Sequence, residues 1–368
     1  MKKKNLCKTL LKTMCIVLGI LILALLAYIV YLYASYYRIE DNQELVVEAP
    51  VDDTTTGAAA VLATDTEYSA VTYNIGFGAY LPDYSFFMDG GTSSWAESPE
   101  TVQYAINGAG ELVKSLDPDF ALIQEIDLDA TRSYHTDEYE MLRNILPEYT
   151  TVFAQNYDSA FLFYPFTQPH GSSRAGLGLF SKYPVSSALR RSFPISTSFS
   201  KFFDLDRCYS VSRIPVDNGK ELVIFNLHMS AYGNSDEIRK GQIEMLCNDM
   251  AKEYEAGNYV LCGGDFNHDL KASEEDTESC ESWAFPFPRT ELPEHFAFCL
   301  DLLSSEEKES LWNSARNADM EYVPGVTYTV TLDGFIISDN IECLSYENVN
   351  TGYSYSDHDP VKMEFMLK

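Results

Sequence analysis

Six short apolar runs in this chain end in, or lead into, a residue that can hold a cation or move a proton. Asn74 lies at the end of the first, Ser69–Ile75, and Gln124-Glu125 follows Phe120–Ile123. His228 follows Val223–Leu227, and Asp265-Phe266-Asn267 follows Val260–Gly264. Asp333 opens the run after Leu332, and Ser356-Asp357-His358-Asp359 precedes the last one. A lone histidine after an apolar run is more often a satisfied structural residue. A lone Asp-X-Asn is more often a turn. Six such ends in one chain form a constellation, because sites in α/β proteins gather where strand ends meet loops.

The residue types point to one chemistry. Hard oxygen donors such as Glu125 and Asp357 suit Mg²⁺, which keeps several waters and few protein ligands; Mn²⁺ accepts the same donors. Two histidines among carboxylates fit phosphoryl transfer better than a closed zinc site. A carboxylate such as Asp265 can orient and deprotonate water. An amide such as Asn267 can donate to an oxygen that gains charge. Asp333 and His358 form a natural pair, the carboxylate holding the ring in one tautomer.

The stretches Thr72-Tyr73-Asn74-Ile75, Leu122-Ile123-Gln124-Glu125, Asn226-Leu227-His228, Gly264-Asp265-Phe266-Asn267 and Ser356-Asp357-His358-Asp359-Pro360 occur in a telling order. Together they resemble the motifs of the endonuclease/exonuclease/phosphatase superfamily, the DNase-I-like fold. Gly176–Pro184 resembles its middle strand, and Leu332–Ile337 its late Asp strand. The resemblance runs from about Glu67 to the C-terminus. It implies an α/β protein built as a four-layer αββα sandwich, with the site at its open end. It implies Glu125 as the main metal ligand, with Asn74 close by and Asp357 in support. Asp265 would orient the attacking water and Asn267 would hold the phosphate. His358, paired with Asp333, would contact the scissile phosphate. His228 would bind phosphate or assist the leaving group.

Substrate contacts are sought among Arg132, Tyr134, Asn156 and Arg174. An arginine beside the cleft of an acidic protein can clamp a phosphate. The competing reading, an ordinary salt-bridged arginine, is equally good for Arg132 and better for Arg207. Tyr84–Met88 reads either as a substrate lid or as simple loop packing. His268 and His295 read as surface residues without a role.

Elements that could position these groups follow from pattern. Strands are expected at Ser69–Ile75, Asp119–Ile126, Gly176–Ser181, Leu222–His228, Tyr259–Cys262, Leu332–Ser338 and Val361–Leu367. Ser98-Pro99-Glu100 opens a helix ending near Leu116: serine caps, proline takes the first turn, and glutamate suits the positive end. Ser235–Glu255 reads as a second helix, with Ile238, Ile243, Met245, Leu246 and Met250 on its apolar side. Strands and helices alternate irregularly, which argues for a mixed sheet rather than a strict parallel repeat.

The N-terminus carries a separate signal. Met14–Ala34 is free of charge over 21 residues, enough for a helix to cross a hydrocarbon layer of about 30 Å. Lys2, Lys3, Lys4, Lys8 and Lys12 precede it, which places the N-terminus in the cytoplasm and the remainder outside. A cleaved signal peptide would have a shorter apolar region, so a retained single-pass anchor in the cell membrane is preferred. The expected organisation is a basic tail over 1–13, the anchor over 14–34, a flexible stalk over 35–66 and a catalytic domain over 67–368. The low-complexity run at 52–60 motivates the stalk.

Formal net charge is −29, and −34 once the five leading lysines are set aside. Long nucleic acids are bound through many Lys/Arg–phosphate contacts, so this balance weighs against them. Excess acid also serves solubility. Eight cysteines are too sparse for a disulfide scaffold, with Cys280–Cys299 the best candidate bridge. The expected activity is metal-dependent hydrolysis of a phosphodiester or phosphomonoester outside the cell by a monomeric ectodomain. A small-molecule or lipid substrate is preferred. The alternatives are an extracellular DNA or RNA nuclease and a non-catalytic surface binding protein.

Overall fold

Strands buried on both faces need unbroken apolar runs, whereas a strand with one solvated face alternates. Glu221–His228 is buried at every position after Glu221, while Val361–Leu367 buries every second residue. Both kinds occur in the computed structural model, which describes residues 2–52, 61–202, 204–231, 236–273 and 284–368. The chain divides into two units, Met1–Arg38 and Ile39–Lys368.

The first unit is helix α1 (Lys2–Ser35). Within it, Leu6–Ser35 contains an 18-residue stretch with a mean hydropathy of 2.9 and is long and apolar enough to cross a membrane. An anchor and a signal sequence both satisfy that test.

The second unit holds two seven-stranded sheets. One runs β1 (Gln43–Glu44), β7 (Ser187–Ser192), β8 (Cys208–Pro215), β9 (Glu221–His228), β10 (Tyr259–Asp265), β14 (Asp333–Ser338), β11 (Phe296–Phe298). The other runs β15 (Ile341–Asn348), β16 (Val361–Leu367), β3 (Glu67–Asn74), β4 (Phe120–Ala130), β6 (Ser173–Ser181), β5 (Thr150–Asp158), β2 (Val47–Glu48). A ribbon of β12 (Ala315–Arg316) and β13 (Thr329–Val330) stands apart. The helices are α2 (Pro99–Leu116), α3 (Glu138–Ile145), α4 (Asp236–Glu255) and α5 (Ser305–Ser310).

The period of two explains the layers. Phe120 and Leu122 of β4 join the core shared with Phe225, Leu261 and Phe335 of the other sheet. Ala121 and Ile123 join a second core with Val102, Ile106, Ala109 and Val113 of α2. Ile243, Leu246 and Met250 of α4 pack into the first core. The result is helix, sheet, sheet, helix, the expected αββα sandwich. Ser98 caps α2 as expected, its side chain accepting from the Thr101 amide at 3.1 Å.

The expected stalk needs correction. β1 and β2 pair with β7 and β5, inside residues 35–66. Asp41 also accepts from the Ser192 amide at 2.8 Å. Two-residue strands are too short to show a period, so pattern reading missed them. Most of the low-complexity run that motivated the stalk, 53–60, lies outside the described residues.

The bridge expectation falls partly outside them too, because it needs Cys280. Cys299 is a buried free thiol with its sulfur 3.0 Å from that of Met363.

Candidate active site

The central strands of both sheets end together. Asp265, last in β10, pairs with Asp333 of β14 on one side and with His228 of β9 on the other. Gly264 precedes it at φ 147°, and a Cβ there would lie 2.0 Å from the Leu227 carbonyl oxygen. Only glycine therefore lets β10 run so close to β9 before Asp265 turns inward.

In the facing sheet, Ile123 pairs with Gly178 and Ile126 with Gly176, so Gln124 and Glu125 together oppose one residue. This is a β-bulge, a device that re-aims a side chain. Glu125 has φ 57° there, while Gln124 stays in the interior. Gln124 Nε2 donates to Asn226 Oδ1 of the opposite sheet at 2.8 Å, and Asn226 Nδ2 donates to the Gly178 carbonyl at 3.0 Å. These buried amides tie the two sheets together directly beneath the site.

Asn74 braces the centre. Its Nδ2 donates to Glu125 Oε1 at 3.2 Å and to Asp265 Oδ2 at 3.1 Å, while its Oδ1 accepts from the Gly76 amide at 3.0 Å. Asp265 Oδ1 accepts from the Asn267 amide at 2.8 Å. His228 Nε2 lies 3.5 Å from Asp265 Oδ2, and His358 Nε2 lies 3.8 Å from the same atom. His358 Nδ1 meets Asp333 Oδ2 at 2.7 Å.

The environment separates the two histidines. Burial and the Arg207 charge push His228 well below the usual imidazole value, which keeps it neutral. Burial also opposes charge on His358, yet Asp333 overrides it and raises the ring well above its ordinary value. Burial pushes the Asp265 carboxyl up to about 7, against the pull of His358.

Glu125, His228, Asp265, Asn267, Asp357 and His358 line one cavity of about 450 Å³, with Asn74 and Asp333 behind them. Phe77, Tyr80, Phe86 and Met88 form an apolar wall. Its volume lies within the range of small-ligand sites.

Comparison with known proteins agrees with this geometry. Residues 71–301 match the Endonuclease/Exonuclease/phosphatase family. The chain belongs to that family. No curated protein matches it. Among solved structures, the endonuclease/exonuclease/phosphatase from Beutenbergia cavernae has a TM-score of 0.55 at 15% identity, over 82% of this chain and 72% of its own. That from Bacteroides vulgatus has 0.54 at 17% identity, over 83% and 100%. ANGEL2, a 2′,3′-cyclic phosphatase in complex with adenosine-2′,3′-vanadate, has 0.56 at 12% identity, over 82% and 96%. These likenesses establish the fold.

As an endonuclease/exonuclease/phosphatase family protein, the chain is a hydrolase of phosphoester bonds, in a family generally dependent on divalent metal. Its residues fit such a cation. Glu125 and Asp357 are raised by burial, and the Asp357 charge raises Glu125 further. Two buried carboxylates that disfavour each other's charge are relieved by a cation between them. Asp265, Asp333 and His358 also bring ligand atoms within 4.8 Å of one another. There the His358 ring is cationic and its Nδ1 is engaged by Asp333. A protonated imidazole has no lone pair for a metal, so the oxygen set around Glu125 is the better ligand group.

The candidate site also has a supporting residue that sequence reasoning missed. Ser314 Oγ donates to Asp333 Oδ2 at 2.7 Å and accepts from the Leu332 and Asp333 amides at 3.0 and 3.1 Å. Ser314→Ala leaves two buried amides without an acceptor, each costing about 1–3 kcal/mol. Urea denaturation should show a loss of about 2 kcal/mol or more.

The four substrate-contact candidates separate. Asn156 and Arg132 line the cavity. Arg132 is nonetheless clamped by Asp127 at 2.8 and 3.1 Å and lies over the Phe77 ring at 3.7 Å. Tyr134 is turned away at φ 56°, its hydroxyl on the Ala96 and Glu97 carbonyls at 3.1 Å each. Arg174 is exposed and paired with Asp129 at 3.0 Å. Neither lines the cavity. Arg174→Ala should therefore leave kcat/KM unchanged in a hydrolysis assay and stability within about 0.5 kcal/mol.

Tyr84 and Phe86 are buried, and Phe86 and Met88 wall the cavity, so this segment is packed loop as well as lining. His268 is buried rather than exposed, its Nδ1 2.6 Å from the Phe266 carbonyl oxygen. His295 is at the surface with Asp339, 2.7 Å away.

Proposed function

We propose that this protein is an Mg²⁺-dependent phosphoesterase of the cell surface, held by its N-terminal helix and acting on a small or lipid phosphate ester. The carrying observation is the convergence of Glu125, Asp265, Asn267, His228 and the Asp333–His358 pair on one small cavity.

Glu125, Asn74 and Asp357 would hold the cation, which would supply charge neutralisation at the phosphate. Asp265 receives the proton of the attacking water, held for this by Asn74 and the Asn267 amide. Asn267 Nδ2 spends one hydrogen on the Met229 carbonyl at 2.9 Å, leaving one for a phosphoryl oxygen. Cationic His358 donates from Nε2 to the phosphate, while Asp333 holds the opposite nitrogen. Neutral His228 donates a hydrogen bond rather than a full charge.

Support for a small or lipid substrate comes from the cavity's size and its surroundings. Phe166 is 85% exposed and Tyr164 63%. Tyr164 lies tilted against Phe87 with ring centres 5.9 Å apart, and Phe87 against cavity-lining His170 at 6.0 Å. Exposed aromatics in a cluster suit the interfacial layer of a membrane. Among the described residues the cavity lining holds no lysine, and of its three arginines Arg132 is held by Asp127 and Arg316 by the Tyr80 and Leu81 carbonyls, which weighs against a polymer of phosphates.

The test uses full-length chain in detergent with Mg²⁺, offered sphingomyelin, bis-p-nitrophenyl phosphate and plasmid DNA. Hydrolysis of the lipid or the small ester should exceed DNA nicking. Faster nicking that disappears in His358→Ala overturns the preference and makes the protein a nuclease.

A further inference from the structure

Arginines in this acidic chain are normally neutralised. Arg132, Arg191, Arg213 and Arg289 each close on a carboxylate. Arg207, immediately before β8, does not follow them. It is 6% exposed, and among the described residues its Nε and Nη1 have no acceptor. It lines the catalytic cavity. Leaving a buried guanidinium without an acceptor is costly, so a fold that retains one holds it for a ligand.

A second unpaired donor faces the same space. Asn156 of β5 is 1% exposed, lines the cavity, and its Nδ2 also lacks an acceptor. The two donors come from opposite sheets. β8 lies two positions from β10, which carries Asp265, and β5 lies two positions from β4, which carries Glu125. With strands spaced about 4.8 Å apart, the backbones of these two elements stand roughly 10 Å from those that carry Asp265 and Glu125. The pair is thus offset from Glu125 and Asp265 toward the side of His228, on which the Arg207 charge acts.

We propose that Arg207 and Asn156 form an anion subsite that takes a second phosphate of the substrate, beyond the one that is hydrolysed. This deepens the phosphoesterase reading and rests on it for the identity of the ligand as substrate. The class selected is a phosphoester with another phosphate group nearby, as in a phosphorylated headgroup or a nucleotide. His170 and His228 line the same cavity. Burial lowers His170 to about 3, with the Arg132 charge adding to it, and burial keeps His228 neutral as well; Arg132 is balanced by Asp127, which leaves Arg207 as the cation without a carboxylate partner here. Asp204 also lines this end of the cavity, which favours a ligand held by directed hydrogen bonds over one attracted by net charge.

The experiment is calorimetric titration of full-length chain in detergent with inorganic pyrophosphate, EDTA keeping metal away. Arg207→Gln should weaken binding at least about tenfold, the scale of one charge-assisted contact. Arg207→Lys should restore part of it, and the control Arg174→Gln should not change it. Should Arg207→Gln fail to fold, Asn156→Asp places a like charge in the subsite and should abolish binding. His358→Ala should retain most of the affinity. Equal binding by wild type and Arg207→Gln overturns the subsite, as does loss only in His358→Ala. If binding depends on Arg207 while no phosphoester is hydrolysed, the subsite stands and the phosphoesterase reading falls. If hydrolysis proceeds while binding ignores Arg207, only the subsite falls.

Discussion

Asp265→Asn lowers kcat by about 10³-fold, with little change in substrate affinity, in the hydrolysis assay. The size is that of losing a positioned general base. Asp265 sits where Asn74, the Asn267 amide, His228 and His358 converge. Asparagine has the same shape but accepts no proton. The pH profile provides the sharper signature. A base must be deprotonated to work, so activity falls as pH drops through its pKa. In the free chain burial places Asp265 at about 7. Bound divalent charge favours the carboxylate, so the acid limb of kcat/KM in the loaded enzyme lies below that value. In Asp265→Asn this limb disappears from the residual rate. An unchanged acid limb would assign the proton to another group.

His358→Ala should lower kcat by a similar factor, about 10²–10³, by removing a donor from the developing charge. Asp333→Asn tests how that donor is maintained. Asp333 raises His358 well above its ordinary value although burial opposes this. A group with a raised pKa keeps its proton to higher pH, so activity that needs the imidazolium is lost only at the alkaline end. Without the Asp333 charge, His358 loses its proton earlier, and the alkaline limb moves to lower pH. A fall in kcat with no movement of that limb would reduce Asp333 to a purely structural support.

The site residues were legible because strand ends advertise them. Asn74, Glu125, His228, Asp265 and Asp333 each terminate or open an apolar run, and the runs became adjacent central strands. Their mutual geometry was not legible. The bulge that turns Glu125 outward leaves no periodic trace, since it inserts one residue into an otherwise regular strand. Ser314 lies outside every apolar run, so nothing in its own sequence context connects it to Asp333, 19 residues away. From sequence, an ordinary salt-bridged reading is equally good for Arg132 and better for Arg207. Tertiary pairing separates them, giving Arg132 to Asp127 and leaving two nitrogens of Arg207 without an acceptor. Tyr134 and Arg174 lay near the right strands but miss the cavity: Tyr134 lies beyond the end of β4, where turn geometry replaces the period of two, and Arg174, within β6, is exposed and paired with Asp129.

Glu125→Gln offers the most direct measurement of the central claim. Full-length chain is assayed on bis-p-nitrophenyl phosphate with Mg²⁺, with and without EDTA, and Mg²⁺ binding is followed by calorimetry. The wild type should turn over the ester, lose activity in EDTA and regain it with Mg²⁺. Glu125→Gln should remain folded, bind Mg²⁺ more weakly and hydrolyse the ester at least about 10²-fold more slowly. Equal turnover and equal Mg²⁺ binding in the two proteins would contradict the account.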